Sequence, residues 1–146
     1  MKTSEQLLTE LLDREAIREL PVRYCDCVWR NDLSGLVDLF TADASFIYKG
    51  REREQTTKGQ ADLKKMYEGA LGDLNPRPYI HNHVVDLKGA NRATGRCYVE
   101  LRSFSRAMEW IGSGYYEDEY SKVGDGWKFA SRRFVPIGTI TGSQRR

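Results

Sequence analysis

The sequence predicts an α+β fold in which three N-terminal helices pack on a strongly curved antiparallel sheet and enclose a pocket. Apolar residues recur at helical spacing in the first half of the chain, and four long strand patterns fill the second half. The last two patterns are joined by Gly124-Asp125-Gly126, which is typical of a hairpin. The 146 residues fit one domain over the whole chain, with its core at about 12–138 and a frayed tail at 139–146.

Capping residues and helix breakers set the predicted helix boundaries. The first helix is expected from about residue 4 to residue 30, with a kink or a fresh start near Leu20 because of Pro21. Asp32 can cap a short second helix over 33–40, and a third helix is predicted over 61–71. The helices therefore precede nearly all of the predicted sheet.

The predicted strands are long enough to curl. Strands are expected over 45–48, 79–87, 92–105, 110–123 and 127–137. The last four exceed the usual length of about five or six residues, and long antiparallel strands twist. A helix across the concave face would close a cone whose open end suits a ligand. Aromatic residues that could line this pocket are Tyr24, Trp29, Phe46, Tyr48, Tyr116 and Trp127.

Composition excludes several classes of function. A formal net charge of +2 indicates no nucleic-acid partner, and no apolar run is long enough for a membrane span. The N-terminus lacks the apolar segment of a signal peptide, which predicts a cytoplasmic protein. No His, Cys and Asp cluster has metal-ligand spacing and no Gly-rich loop joins a strand to a helix, so neither a metal nor another cofactor is expected. Cys25, Cys27 and Cys97 are expected to be small buried hydrophobic residues.

Several segments, taken in order, resemble the SnoaL-like branch of the NTF2-like superfamily over roughly residues 12–136. The segments are Arg14-Glu15-Ala16-Ile17-Arg18-Glu19-Leu20, Arg23-Tyr24, Asp32-Leu33 through Leu39-Phe40, Asp43-Ala44, Asn82-His83-Val84-Val85, Ala93-Thr94-Gly95-Arg96, Gly114-Tyr115-Tyr116-Glu117-Asp118-Glu119-Tyr120 and Gly126-Trp127-Lys128-Phe129. The resemblance implies a cone with a deep apolar pocket and often a dimer. Relatives include cofactor-free dehydratases, dehydrochlorinases, isomerases and polyketide cyclases. Ring-hydroxylating dioxygenase β subunits share the fold without chemistry of their own, so the fold alone does not decide function.

The resemblance also implies where a catalytic pair would lie. In lyase members a helix Asp orients a strand His, which removes a proton from the substrate. Counting from Tyr24 and Asn82 places these two positions at Trp29 and Pro78, which are both apolar. Two hypotheses follow: a cofactor-free lyase or isomerase with a non-standard mechanism acting on a hydrophobic polycyclic or aromatic molecule, and a non-catalytic binding protein or accessory subunit.

Three residues are candidates for catalysis. Tyr48 could donate a phenolic hydrogen bond to a substrate. The resemblance implies that Asn82 faces the cavity. Strict alternation then places both His81 and His83 on the outer face, unless Pro78 disturbs the strand and turns His81 inward. Asp26 would reach the pocket only if Pro21 rotates the second half of the first helix. The catalytic candidates are therefore His81, Tyr48 and Asp26.

Five residues are candidates for binding the hydrophobic small molecule: Tyr24, Trp29, Asn82, Tyr116 and Arg133. Arg133 is included because alternation would place it on the face of Trp127 and Phe129. A homodimer is expected through the outer face of the sheet. Its expected apolar residues are Val85, Tyr115 and Phe134.

Overall fold

The structure is a computed structural model that describes residues 1–139. Three helices pack on one six-stranded sheet, which confirms the predicted α+β cone. The helices are α1 (Ser4–Trp29), α2 (Leu33–Asp38) and α3 (Gln60–Ala70). The strands are β1 (Phe40–Lys49), β2 (Glu54–Lys58), β3 (Pro76–Leu87), β4 (Arg92–Ser103), β5 (Glu109–Val123) and β6 (Gly126–Thr139). Of the predicted tail, Thr139 ends β6 and residues 140–146 lie outside the described residues.

The strand order in the sheet is β2-β1-β6-β5-β4-β3. All neighbours pair antiparallel except β1 and β6, which run parallel and are separated in the chain by β2, α3, β3, β4 and β5. The short edge strand β2 was not expected from the sequence. It pairs with β1 and completes one edge of the sheet.

Helix α1 begins with a capping box. The Thr3 hydroxyl accepts from the Gln6 amide, and the Gln6 side chain accepts from the Thr3 amide. A fresh start of the helix near Pro21 is wrong, because α1 continues through it to Trp29. Buried Ile17 and Tyr24 on either side anchor the helix to the core, which outweighs the hydrogen bond that proline cannot donate.

The first turns of α1 lie outside the core. Leu7, Leu8, Leu11 and Leu12 are 54–62% exposed. At about 100° per residue, these leucines lie on the side of the helix opposite Tyr24. Helical periodicity identified the helix correctly, and the buried side begins only at Ile17.

Two bulges decide which side chains of the long strands face the helix. In β3, His81 and Asn82 together oppose a single residue of β4, and in β6 one extra residue follows Phe129. Each extra residue reverses the alternation beyond it. As a result His83 and Arg132 turn toward the inner face of the sheet, the face that packs on α1.

Part of the predicted dimer surface is wrong, because the bulges turn two of its residues inward. Val85 and Phe134 belong to the buried core, so they are not on the outer face. Tyr115 is outward-facing and packs on Tyr98 with ring centroids 5.6 Å apart.

Among the described residues, no helix is long and apolar enough to cross a membrane.

Candidate functional site

A cavity of about 350 Å³ lies between the sheet and helices α1 and α3. Every strand contributes at least one residue to its walls. The aromatic lining residues are Tyr24, Phe46, Tyr48, Tyr67, Tyr116 and Phe134. The aliphatic lining residues are Val28, Met66, Ala70, Leu71, Pro76, Pro78 and Leu101, and Gln55 adds one amide. The cavity is therefore predominantly aromatic and aliphatic, as small-molecule pockets usually are.

Local periodicity directs three tyrosines into the cavity. Tyr24 lies seven residues after Ile17 on α1, and Tyr67 lies four residues after Leu63 on α3, so each shares the buried face of its helix. Tyr116 belongs to the inward-facing set of β5. These three elements bring the phenol rings together at the inner end of the cavity.

Two of these tyrosines are joined through their hydroxyls, and all three line the cavity. The Tyr24 hydroxyl donates to the Tyr67 hydroxyl oxygen at 2.9 Å, and the rings of Tyr24 and Tyr116 meet edge to face with centroids 5.9 Å apart. Burial raises the pKa of Tyr24, and it raises the pKa values of Tyr67 and Tyr116 well above the ordinary range. These phenols are neutral hydrogen-bond donors at physiological pH.

A charged network lies behind this wall on the same face of the sheet. The Nε and Nη2 atoms of Arg132 donate to the two carboxylate oxygens of Asp118 at 3.0 and 3.3 Å. The Tyr120 hydroxyl donates to Asp118 Oδ2 at 3.1 Å, and His83 Nε2 lies 2.9 Å from the same hydroxyl. None of these four residues lines the cavity.

Burial and neighbouring charges shift the pKa values of the residues in this network. Burial lowers the pKa of His83 to about 4, with further lowering by Arg132 and Arg18. Burial raises the pKa of Asp118, and the Arg132 guanidinium opposes that shift. Burial alone would lower the pKa of the Arg132 guanidinium, but Asp118, together with smaller contributions from Tyr116, Tyr24 and Cys97, raises it well above its ordinary value. The network therefore holds a neutral imidazole and a buried ion pair at neutral pH.

Among the predicted site residues, Tyr24, Tyr48 and Tyr116 line the cavity. Tyr48 is 39% exposed and lies opposite Gln55 in the β1–β2 pairing. These two residues add polar atoms near the solvent-exposed part of the cavity. The inner end and the exposed end thus both carry neutral hydrogen-bonding groups.

The structure places two predicted catalytic residues away from the cavity. The His81 side chain is 56% exposed, and its Nε2 lies 3.6 Å from Glu100. Pro78 pairs in register with Leu101, and the irregularity of the strand lies further on, at the bulge of His81 and Asn82, where His81 stays exposed. The Asp26 side chain is 62% exposed and accepts from Arg30 Nε at 2.9 Å.

Three predicted binding residues also lie outside the lining. Asn82 is exposed in the β3 bulge. Arg133 faces outward and donates to Glu54, because the β6 bulge turns Arg132 inward instead. Trp29 is half-buried, its ring packs edge to face on Tyr79 at 5.4 Å, and it does not reach the cavity.

The two positions of the expected catalytic pair do meet in space. Trp29 Nε1 donates to the carbonyl oxygen of Pro78 at 2.8 Å. The fold therefore brings these positions together, although their side chains carry no acid or base. Within residues 1–139, no group of three or more His, Cys, Asp and Glu side chains is arranged to hold a metal ion.

Sequence reasoning missed Tyr67, Asp118 and Arg132. Tyr67 keeps the helical spacing from Leu63, which was sufficient to assign it to the core side of α3. Asp118 lies between two aromatic residues of β5 that share its inward face, and a carboxylate in such a row needs a buried partner. Arg132 gave no comparable signal, because its direction depends on the β6 bulge.

Comparison with known proteins agrees with this architecture. The model of the SnoaL-like domain family matches residues 9–133, so the chain belongs to this family. It is a pocket protein of the SnoaL-like family with the NTF2-like fold. None of the curated proteins compared with the chain matches it.

Three solved structures illustrate the likeness. An NTF2-like protein with a cystatin-like fold from Novosphingobium aromaticivorans is 23% identical, with a TM-score of 0.80 and coverage of 99% of this chain and 96% of that one. The hexachlorocyclohexane dehydrochlorinase LinA-type3 from Novosphingobium barchaimii LL02 is 19% identical, with a TM-score of 0.77 and coverage of 92% and 94%. A protein of unknown function with a cystatin-like fold from Nostoc punctiforme is 18% identical, with a TM-score of 0.78 and coverage of 88% and 94%. At these identities the likeness supports the fold alone.

Proposed function

We propose that this chain is a small-molecule-binding protein that holds a hydrophobic ligand in the aromatic cavity without performing acid-base chemistry on it. One observation carries the proposal: within residues 1–139, none of the residues that line the cavity is His, Asp, Glu, Lys, Arg or Cys. A general base needs a proton-accepting side chain within hydrogen-bond reach of the substrate. The cavity offers such a substrate neutral phenols and one amide instead.

The dimensions of the cavity fit this role. Its volume of about 350 Å³ falls within the ~300–1,000 Å³ that ligand pockets usually occupy. The rings of Tyr24, Tyr116 and Phe134 offer flat apolar surfaces. The ring centroid of Tyr116 lies 5.9 Å from that of Tyr24 and 5.2 Å from that of Phe134. An aromatic or polycyclic molecule with little charge is the ligand that such walls favour.

A thermal-shift screen against substituted naphthalenes, steroids, polyketides and terpenoids tests the binding proposal. A ligand of the folded state should raise the melting temperature of the wild-type protein by mass action. Met66→Trp, which fills part of the cavity, should abolish the shift. Leu11→Trp on the exposed side of α1 is the matched control and should keep it. The proposal fails if no compound shifts the wild type, or if Met66→Trp responds as the wild type does.

A second candidate is a cofactor-free lyase or isomerase acting on a hydrophobic aromatic or polycyclic molecule. The phenol cluster of Tyr24, Tyr67 and Tyr116 favours it, because phenolic donors can stabilise an oxygen that gains negative charge. The fold is also that of a protein named as a dehydrochlorinase. Turnover that survives EDTA and slows in Tyr48→Phe would support this candidate. Loss of turnover with EDTA and its recovery with added metal would exclude it.

We also propose a homodimer through the outer face of the sheet. This face carries exposed Val84 and the stacked pair Tyr98 and Tyr115. It also carries Arg96 opposite Glu117, a pair of opposite charges that a two-fold axis could match between copies. Light scattering at tens of micromolar should report a dimer, and Tyr115→Lys should yield a monomer while Leu11→Lys does not. The cytoplasmic location also stays a prediction, which cell fractionation would test.

A further inference from the structure

Arg132 lies directly behind the part of the cavity wall that carries the tyrosine hydroxyls. Its guanidinium carbon is 3.6 Å from the ring centroid of Tyr116 and 4.2 Å from that of Tyr24. Both rings line the cavity, whereas Arg132 does not and is 1% exposed. A permanent positive charge is therefore held against two phenol rings that a ligand would touch.

The Asp118 carboxylate fixes the guanidinium in this position. The bidentate pairing uses Nε and Nη2 of Arg132, at 3.0 and 3.3 Å. The remaining Nη1 has no hydrogen-bond partner among residues 1–139. The Phe129 ring, 4.5 Å from the guanidinium carbon, completes an aromatic enclosure around this cation.

A cation against the face of a phenol ring changes the hydrogen-bond donor strength of its hydroxyl. It stabilises negative charge on the phenol oxygen, and the O–H group becomes a stronger donor. Burial raises the pKa values of Tyr24 and Tyr116, and Arg132 acts in the opposite direction on both. Burial prevails, so the hydroxyls keep their protons and act as polarised donors.

The hydroxyl cluster has at least one proton available for a ligand. Tyr24, Tyr67 and Tyr116 carry one hydroxyl proton each. Tyr24 contacts both neighbours, so the three groups can form at most two hydrogen bonds among themselves. A third proton is left over among three residues that all line the cavity.

We propose that Arg132 is a positioning residue for these phenols, and that the cavity thereby selects a hydrophobic ligand whose polar group is a conjugated carbonyl. Such a carbonyl concentrates partial negative charge on a single oxygen, which matches a polarised donor. A carboxylate would require a counter-charge in the cavity, and the charge of Arg132 is already paired with Asp118. The inference rests on the proposed binding function and specifies its ligand class.

Two probe ligands of the same shape test the selectivity. In 2-acetylnaphthalene the polar group is a conjugated carbonyl, and in 2-isopropenylnaphthalene a methylene group replaces the oxygen. Titration calorimetry should show that the wild type binds the ketone about tenfold more tightly, which corresponds to about 1.4 kcal/mol. Infrared spectroscopy should show a lower carbonyl stretching frequency for the bound ketone than for the ketone in hexane.

Double variants separate the cation from the rest of the wall. Arg132→Met/Asp118→Leu removes both charges together, so that no buried charge is left unpaired. It should bind 2-isopropenylnaphthalene within about twofold of the wild type, since the apolar walls are unchanged. It should lose most of the ketone preference and shift the bound carbonyl stretch back toward its value in hexane. Arg132→Gln/Asp118→Asn also removes both charges but keeps polar side chains at these positions. It should lose the ketone preference in the same way, and it replaces the first double variant if that protein does not fold.

Tyr116→Phe is the complementary variant. It keeps the Arg132–Asp118 pair and the ring while removing one of the hydroxyls that Arg132 polarises. It should weaken the ketone preference without abolishing it, because Tyr24 and Tyr67 still have one proton to spare. Unchanged preference and unchanged carbonyl stretch in a folded double variant would overturn the role of Arg132. A wild type that favours the hydrocarbon would overturn the ligand class. If neither naphthalene binds the wild type, the binding function itself fails, and this inference fails with it.

Discussion

Neighbouring residues on the inner face of strand β5 form two regions with different properties. Tyr116 forms part of the cavity wall, whereas Asp118, two residues later, is enclosed in an ion pair with Arg132. Tyr120 then connects Asp118 to His83. The charged groups at this row, Asp118 and its partner Arg132, are on the closed side, and the open side presents only a neutral phenol. The burial is similar in both regions, so access to the cavity, not depth, separates them.

This difference shows how a buried charge can serve a pocket that it does not enter. An exposed arginine in the cavity would bind anions and attract water. The same guanidinium behind two phenol rings polarises the wall and leaves it apolar. The charged side should therefore dominate folding stability, and the phenol side should dominate ligand choice.

The largest effect is expected from breaking the ion pair on the closed side. Asp118→Ala leaves the Arg132 guanidinium buried without its counter-ion. Removal of one partner of a buried pair costs about 3–5 kcal/mol of unfolding free energy. Urea unfolding should show this loss as a lower midpoint with a similar slope.

The control for this prediction is the double variant Arg132→Met/Asp118→Leu. It replaces the pair with apolar side chains and should recover most of the loss seen in Asp118→Ala. A loss below about 1 kcal/mol in Asp118→Ala would mean that the pair contributes as little as an exposed one. The division between a structural closed side and a binding open side would then be incorrect.

A smaller loss of unfolding free energy is expected from a substitution at Trp29, which belongs neither to the cavity wall nor to the Arg132–Asp118 ion pair. Its indole donates to the Pro78 carbonyl and packs on Tyr79, and it is half-buried. Trp29→Ala should lower the unfolding free energy by about 2 kcal/mol, less than the roughly 3–5 kcal/mol of a fully buried aromatic residue. The ligand profile in the thermal-shift screen should stay the same. A changed profile would place Trp29 in the binding site after all.

The sequence predicted the elements better than it predicted the directions of side chains. Helical spacing located α1 and α3, and the Gly124-Asp125-Gly126 signal located the β5–β6 hairpin. The sequence also predicted that Tyr24 and Tyr116 line the cavity, because both follow the regular period of their elements. Strand β2 gave no signal, since its five residues are polar and lack an apolar alternation.

The bulges explain most of the errors at the site. The family resemblance implied an inward Asn82 and alternation predicted an inward Arg133, and one extra residue in each strand turned both outward. A bulge is set by how two paired strands accommodate their neighbours, which local sequence does not reveal. Asp26 failed for a different reason, because α1 continues through Pro21 without the rotation that would have brought it inward.

A pH-dependent effect is expected at His83 on the closed side. Its folded-state pKa of about 4 lies below the unfolded value of about 6.5. The unfolded chain therefore takes up the proton first, and the stability that is fully present above pH ~6.5 falls as the pH drops toward ~4. The melting temperature of His83→Gln should decline less than that of the wild type across this window. Parallel curves for the two proteins would show that His83 does not carry this dependence.

The smallest effect is expected at His81, whose side chain is more than half exposed on the outer side of β3. Substitution of a surface side chain usually changes the unfolding free energy by no more than about 0.5 kcal/mol. His81→Ala should therefore keep the wild-type melting temperature and the affinity for 2-acetylnaphthalene, and it should retain any turnover that the wild type shows. Tyr116→Phe provides the contrast, because it alters the cavity wall with a smaller loss of side-chain volume. A loss of turnover in His81→Ala alone would mean that an imidazole reaches the ligand in solution, and the binding proposal would give way to the lyase or isomerase.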